Sequence, residues 1–177
     1  MRRRQFHRHV PAGHQHLRRL LAVALLLVTP AAAQPALLVP LDGPTCISSP
    51  FGPRSGTLHL GVDLPAPAGA PVRAAAPGRV VAIRRMGAAG LLVELRHADG
   101  SRTRYAHLGV VTPALAGGRT TVALGERLGR VGRTGTTRGT HLHFELLREG
   151  QRIDPAPALG LASCGAKGRP YNNRRNE

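Results

Sequence analysis

The chain has 177 residues, 25 Lys+Arg against 9 Asp+Glu, a formal charge of +16, and 42% hydrophobic but only 3% aromatic residues. Its 22 glycines and 15 prolines are scattered and no heptad recurs, while several apolar runs are long enough to build a core. Collagen, coiled coil and extended disorder are thereby excluded, and one ordinary domain with a basic surplus remains.

The first 33 residues hold six arginines (Arg2, Arg3, Arg4, Arg8, Arg18, Arg19) and no acidic residue. Behind them comes the apolar run LLAVALLLV at 20–28, then Thr29-Pro30 and Ala31-Ala32-Ala33. A basic leader, a short apolar run and a small-residue site make a secretory signal peptide, so 1–33 is expected to be removed on export to the periplasm or the extracellular cell envelope. A spanning helix takes about 20 apolar residues; this run is shorter and Pro30 follows it, so no stable membrane insertion is expected after cleavage. Cleavage also discards His7, His9, His14 and His16. Removing the leader's +6 from +16 leaves a body at +10.

Residues 34–45 are a Pro-rich lead-in and 165–177 a basic polar tail, both expected to be poorly ordered. Between them, 46–164 forms the expected domain. Cys46 and Cys164 are the only cysteines and stand near its two ends. In an oxidising compartment they are expected to pair, an intramolecular disulfide that closes a loop worth about 4–5 kcal/mol in the chain-entropy model. Neither has a CxxC partner, which leaves a cysteine-ligated zinc without support.

The first motif in chain order is His59-Leu60-Gly61-Val62-Asp63-Leu64. Alternation places His59, Gly61 and Asp63 on one side and Leu60, Val62 and Leu64 on the core side. Full extension separates residues four apart by about 13 Å, so the chain has to bend near Gly61 if both side chains bind one metal. Strands are predicted at 79–85, 91–96, 102–106 and 141–147, with Asp99-Gly100 as a tight turn between the middle pair, and a short helix at 112–117. Gly or Pro punctuates the chain every 8–12 residues or so, which suits an all-β, compact single domain built on an antiparallel sheet with few or no helices. Val72-Arg73-Ala74 with Pro77-Gly78-Arg79-Val80 looks like half of a lipoyl-type hairpin, but the sole lysine, Lys167, lies in the tail and no swinging arm has an attachment site.

On the last predicted strand His141, His143 and Glu145 share one face, and Leu142, Phe144 and Leu146 the other. Taken with His59 and Asp63, a histidine of this pair completes an N/N/O set of three ligands with an open fourth position, the arrangement of a catalytic rather than a structural zinc. Tyr105-Ala106-His107-Leu108 brings a further imidazole. Tyr105 shares strand parity with His107 and is either an oxyanion donor or a packed wall residue. His97, beside the Asp99-Gly100 turn, is taken as an exposed strand-end residue, and Glu145 as structural or salt-bridging.

The segments SSPFGPR (48–54), HLGVD (59–63), APVRAAAPGRVV (70–81), HADGSRTRYAHL (97–108), GRVGRTG (129–135) and GTHLHFEL (139–146), in this order, resemble the lysostaphin/LytM-type zinc metallopeptidases. The resemblance covers about 48–155. It implies a compact antiparallel β fold with a substrate groove across the sheet, and an exported zinc metalloendopeptidase that cuts peptide cross-links or stem peptides of peptidoglycan. Position by position it implies that His59, Asp63 and His143 hold one catalytic Zn²⁺ and that His107 and His141 are catalytic. His141 then activates the water, and His107 orients it or stabilises the oxyanion. The 144 residues after position 33 leave no room for a second, wall-binding domain. Nucleic acid is not an expected partner, because stacking aromatics are scarce and no binding motif is present. The competing reading is a non-catalytic member of the same fold that binds wall or activates another hydrolase; a third is a basic wall-binding protein with incidental histidines.

Overall fold

The computed structural model describes residues 36–54 and 56–165, so the expected signal peptide and residues 166–177 of the tail lie outside the described residues. In chain order the strands are β1 (Gly52–Arg54), β2 (Thr57–His59), β3 (Val62–Pro65), β4 (Pro71–Arg73), β5 (Gly78–Met86), β6 (Gly90–Arg96), β7 (Arg102–Val111), β8 (Thr121–Val122), β9 (Arg127–Val131), β10 (His141–Arg148) and β11 (Gln151–Ile153). Among the described residues two one-turn helices, α1 (Pro113–Ala116) and α2 (Ala156–Leu159), and a 3-10 turn at Gly87–Ala89 complete the elements. The fold is all-β and antiparallel, as the punctuation and the four long runs predict, and α1 falls inside the expected 112–117.

Among the described residues β1 and β2 form a separate hairpin. The others make one sheet with the order β11-β10-β7-β6-β5-β8, to which β3 adds on β10, β9 on β7 and β4 on β9. The β6–β7 connection shows why Asp99-Gly100 reads as a turn. Asp99 Oδ1 accepts from Ser101 N at 3.0 Å and from Ser101 Oγ at 2.6 Å, and Gly100 supplies a φ of 82°.

The core lies on one face of the sheet, where alternate residues of successive strands meet: Val62 and Leu64 from β3, Val93 and Leu95 from β6, Tyr105 from β7, Leu142 and Phe144 from β10. Tyr105 and Phe144 are directly paired across β7 and β10, and their rings meet edge-on with centroids 5.3 Å apart. Cys46 and Cys164 are bonded, with Cα atoms 5.0 Å apart, and join the two ends of the domain as the cysteine count predicts.

Two expectations are corrected, and one open alternative is decided. The lead-in is structured from Ala36 onward. Leu37 N donates to Ala158 O, Leu38 N donates to Ala75 O, Leu41 is buried and bridges Val72, and Asp42 pairs with Arg73. Its prolines mask this in the sequence, because the edge it covers is formed by residues more than 30 positions away. His97 is buried rather than exposed. Its Nδ1–H donates to Pro77 O at 2.9 Å and its Nε2 lies 2.8 Å from Thr103 Oγ1, within a chain that continues to the Tyr105 hydroxyl. Tyr105 is a core residue, since it is fully buried and its hydroxyl oxygen accepts from Ala75 N and Thr103 Oγ1.

Candidate active site

β3 and β10 pair so that Asp63 stands opposite His143 and Leu64 opposite Leu142. This register puts one pair toward the core and the other toward the opposite face, because antiparallel partners share a face. His59 reaches the same point only because the chain breaks between β2 and β3. At Gly61 a Cβ would collide with the carbonyl of Phe144, so the bend passes against β10 where no side chain fits. The bend is the one that the HLGVD spacing requires. It also cancels the simple alternation expected there, for Val62 and Leu64 are buried while Leu60 lines the groove.

The three expected ligands converge. His59 Nε2 is 3.2 Å from Asp63 Oδ1 and 3.1 Å from His143 Nδ1, and His143 Nδ1 is 2.9 Å from Asp63 Oδ1. Ligand atoms about 2.0–2.1 Å from a tetrahedral zinc stand about 3.3 Å from one another, so the triangle is close to one face of that tetrahedron. The outer nitrogens set the tautomers. His59 Nδ1–H donates to Pro50 O at 2.7 Å, and His143 Nε2–H points at Glu145 Oε1 at 3.4 Å, which leaves the inner nitrogens with lone pairs. Two lone pairs and a carboxylate oxygen within about 3 Å repel unless a cation or a proton lies between them, and the donor set of two imidazoles and a carboxylate suits Zn²⁺.

The ionisation of these groups tells the same story. Burial works against the Asp63 carboxylate, but hydrogen bonds from His143 and His59 and the nearby His141 hold it well below the usual range. Burial likewise disfavours a charged His143, yet hydrogen bonds to Asp63 and Glu145 push it up to about 9, so that without metal a proton fills the gap. Glu145 is itself held below the usual carboxylate range, burial notwithstanding, by hydrogen bonds from His143 and Arg152.

His107 and His141 flank this triangle, with their rings edge-on at 5.0 Å and His107 5.8 Å from the ring of His143. β7 delivers His107 by breaking its own alternation. Tyr105 and Leu108 both face the core, and His107 between them adopts φ 60° and turns into the groove. A left-handed histidine is uncommon and costs on the order of 1 kcal/mol. The shared parity of Tyr105 and His107 read from the sequence is therefore overturned by this one residue. His107 Nδ1–H donates to Thr134 O at 2.8 Å, and His141 Nδ1 lies 3.4 Å from Thr137 Oγ1, so both rings turn Nε2 to the groove. Burial holds both imidazoles below the ordinary histidine value, which makes them neutral near pH 7.

The site lies in a groove of about 870 Å³. One wall is the β1–β2 hairpin with Arg54, Thr57 and Leu58; the other is the turn 87–89 between β5 and β6 with Met86. Segment 134–136 stitches the second wall to the site. Thr134 Oγ1 accepts from Leu91 N, Thr136 N donates to Ala88 O, and Gly135, at φ 76°, passes so close to Ala88 that a Cβ there would strike its carbonyl.

Beyond the five expected residues the structure adds an ion ladder on the same sheet face. Glu94 of β6 stands opposite Arg104 of β7, and Arg104 opposite Glu145 of β10. Arg104 Nε donates to Glu94 Oε2 at 2.9 Å and Nη1 to Glu145 Oε2 at 3.3 Å, while Arg152 Nε reaches that same oxygen at 2.8 Å. The ladder ends on the candidate ligand His143, so Glu145 both salt-bridges and fixes the orientation of that ring. Its alternating signs are visible in the sequence, but the register that aligns them is not.

Comparison with known proteins follows the same lines. The model of the family described as Peptidase family M23 matches residues 57–155, more than half of the chain. The chain is 44% identical over 117 residues to the DD-carboxypeptidase/endopeptidase Mpg of Neisseria meningitidis serogroup B, which covers 63% of this chain and 26% of that protein. It is 35% identical over 136 residues to the peptidoglycan DD-endopeptidase ShyA of Vibrio cholerae, covering 72% of this chain and 31% of that one. Among solved structures, a peptidase M23 from Pseudomonas aeruginosa superposes with a TM-score of 0.62 at 37% identity, over 72% of this chain and 52% of that chain. The chain thus spans about a quarter to a third of the length of these curated relatives.

Proposed function

This chain belongs to peptidase family M23, and on that premise we propose that it is a zinc-dependent endopeptidase that hydrolyses peptide cross-links or stem peptides of peptidoglycan in the cell envelope. The observation that carries the reading is the lone-pair triangle of His59, Asp63 and His143 at the floor of an open groove, with two further neutral imidazoles beside it. Export by the 1–33 leader is part of the proposal, and among the described residues no helix is long and apolar enough to cross a membrane.

His59 Nε2, Asp63 Oδ1 and His143 Nδ1 would hold the zinc, which when bound acts as a Lewis acid and lowers the pKa of a water. His141 Nε2 takes the proton of the attacking water and returns it to the amine nitrogen as the amide C–N bond breaks. His107 has its Nδ1–H committed to Thr134 O, so its Nε2 offers a lone pair and serves best to orient that water. Glu145, fixed by Arg104 and Arg152, keeps the His143 ring turned with Nδ1 inward. The groove walls position the peptide across these nitrogens.

The test is incubation of the zinc-loaded protein with purified peptidoglycan, with and without chelator, and mass spectrometry of the soluble products. Chelator-sensitive appearance of new amine and carboxyl ends is expected. Tight wall binding without cleavage, unchanged in His143→Ala, would instead establish the non-catalytic reading.

A further inference from the structure

The groove is chemically lopsided. On the side of the 87–89 turn its wall is Met86 with glycine and alanines, while the β1–β2 hairpin, the approach to β10 and β11 contribute three guanidiniums, Arg54, Arg138 and Arg152. Against these the lining holds two carboxylates, Asp63 and Glu145, and both are already committed. Asp63 gives Oδ1 to the histidines and has Oδ2 3.5 Å from Arg54 Nη1. Glu145 gives Oε1 to His143 and Oε2 to Arg152 and the half-buried Arg104. Arg138 is the guanidinium left over. It lines the groove and has no ion-pair or hydrogen-bond partner among the described residues.

Its backbone is held at that place. The Thr137 hydroxyl donates to Gly139 O at 2.7 Å and accepts from Gly139 N at 3.3 Å, a clasp that closes around Arg138, and the same oxygen is 3.4 Å from Nδ1 of His141. A cation mounted three residues from a catalytic imidazole, in a groove whose own carboxylates are already committed, fits a peptide that carries an anion beside the scissile amide. A planar guanidinium with all its donors free matches a carboxylate bidentately.

We propose that Arg138 binds a free carboxylate on the substrate residue next to the scissile amide, so that the groove selects cross-linked peptides in which this carboxylate is not amidated. The inference rests on the peptidase reading above and deepens it by naming the group the groove reads. A charge-assisted contact of this kind separates the two substrates by about tenfold or more in kcat/KM, and the preference weakens with added salt.

The experiment compares two cross-linked peptide dimers that differ in one group, the free or amidated carboxyl of the residue next to the scissile amide, as substrates of the zinc-loaded full chain and of Arg138→Gln. Binding of both dimers is also measured in chelator by calorimetry. The expected result is a free-to-amidated ratio of about ten or more in the parent that falls to about one in Arg138→Gln, with Arg138→Lys between them. A ratio near one in the parent, or one that persists in Arg138→Gln, overturns the assignment. If neither dimer is cleaved, the peptidase reading fails on its own, and the binding ratio and its loss in Arg138→Gln still decide the carboxylate site.

Discussion

Asp63 and His143 face each other across the β3–β10 ladder, with Oδ1 2.9 Å from Nδ1 although 80 residues separate them. The convergence of the candidate ligands thus depends on strand register, and a one-residue slip of either strand would turn its member of the pair into the core. His59 enters through the bend at Gly61 and His107 through its left-handed backbone. One ladder and two local departures from it assemble the whole site.

Asp63→Asn removes the negative charge but keeps the shape. Zinc affinity, measured by competition with a chromophoric chelator, is expected to fall by more than about 100-fold, beyond the 10- to 100-fold typical of losing a supporting partner. Glu145→Gln, which touches the metal only through His143, should fall within that smaller range.

His107→Ala and His141→Ala should separate binding from chemistry. Each leaves the triangle in place, so zinc content by atomic absorption stays near that of the parent, while the cleavage rate falls by about 10²–10⁴-fold.

Tyr105 gives the fold an alkaline limit. Burial pushes its phenol up to about 12, against which the hydrogen bonds with Thr103 and Ala75 act only in part. Below pH 10 folded and unfolded chains both keep this proton, and the contribution to stability is complete. Above pH 10 the unfolded chain ionises first, so stability is lost as pH rises toward 12. Denaturant unfolding should therefore weaken more steeply between pH 10 and 12 in the parent than in Tyr105→Phe, although the variant starts lower by about 1–3 kcal/mol because Ala75 N loses its acceptor.

Reducing the Cys46–Cys164 bond releases the two ends of the domain, where Ile47 N donates to Ala162 O and Cys164 N to Ile47 O. The double variant Cys46→Ala/Cys164→Ala is expected to lose up to about 4–5 kcal/mol in chemical denaturation, and to keep its zinc because no ligand lies on those ends.

The parts of this molecule that read directly from its sequence are those governed by local spacing. The His-x-His-x-Glu face of β10, the turn at Asp99-Gly100 and the strand runs follow from period-two alternation. The requirement for a bend at Gly61 follows from the reach of an extended chain. What alternation misreads is set by long-range contacts or by a single dihedral. His97 is buried because Pro77 and Thr103 supply its partners, residues 36–45 are ordered because β4 and α2 accept them, and His107 leaves the parity of Tyr105 through one positive φ. The Glu94–Arg104–Glu145 row needs two ladder registers at once, which no local pattern carries.

The most direct measurement is anomalous diffraction at the zinc edge from crystals of the zinc-loaded protein. A single strong peak bonded to His59 Nε2, Asp63 Oδ1 and His143 Nδ1, with no protein atom on its groove side, is the predicted result. A peak that also binds His107 or His141, closing the open position, or no peak at this triangle, would contradict the account.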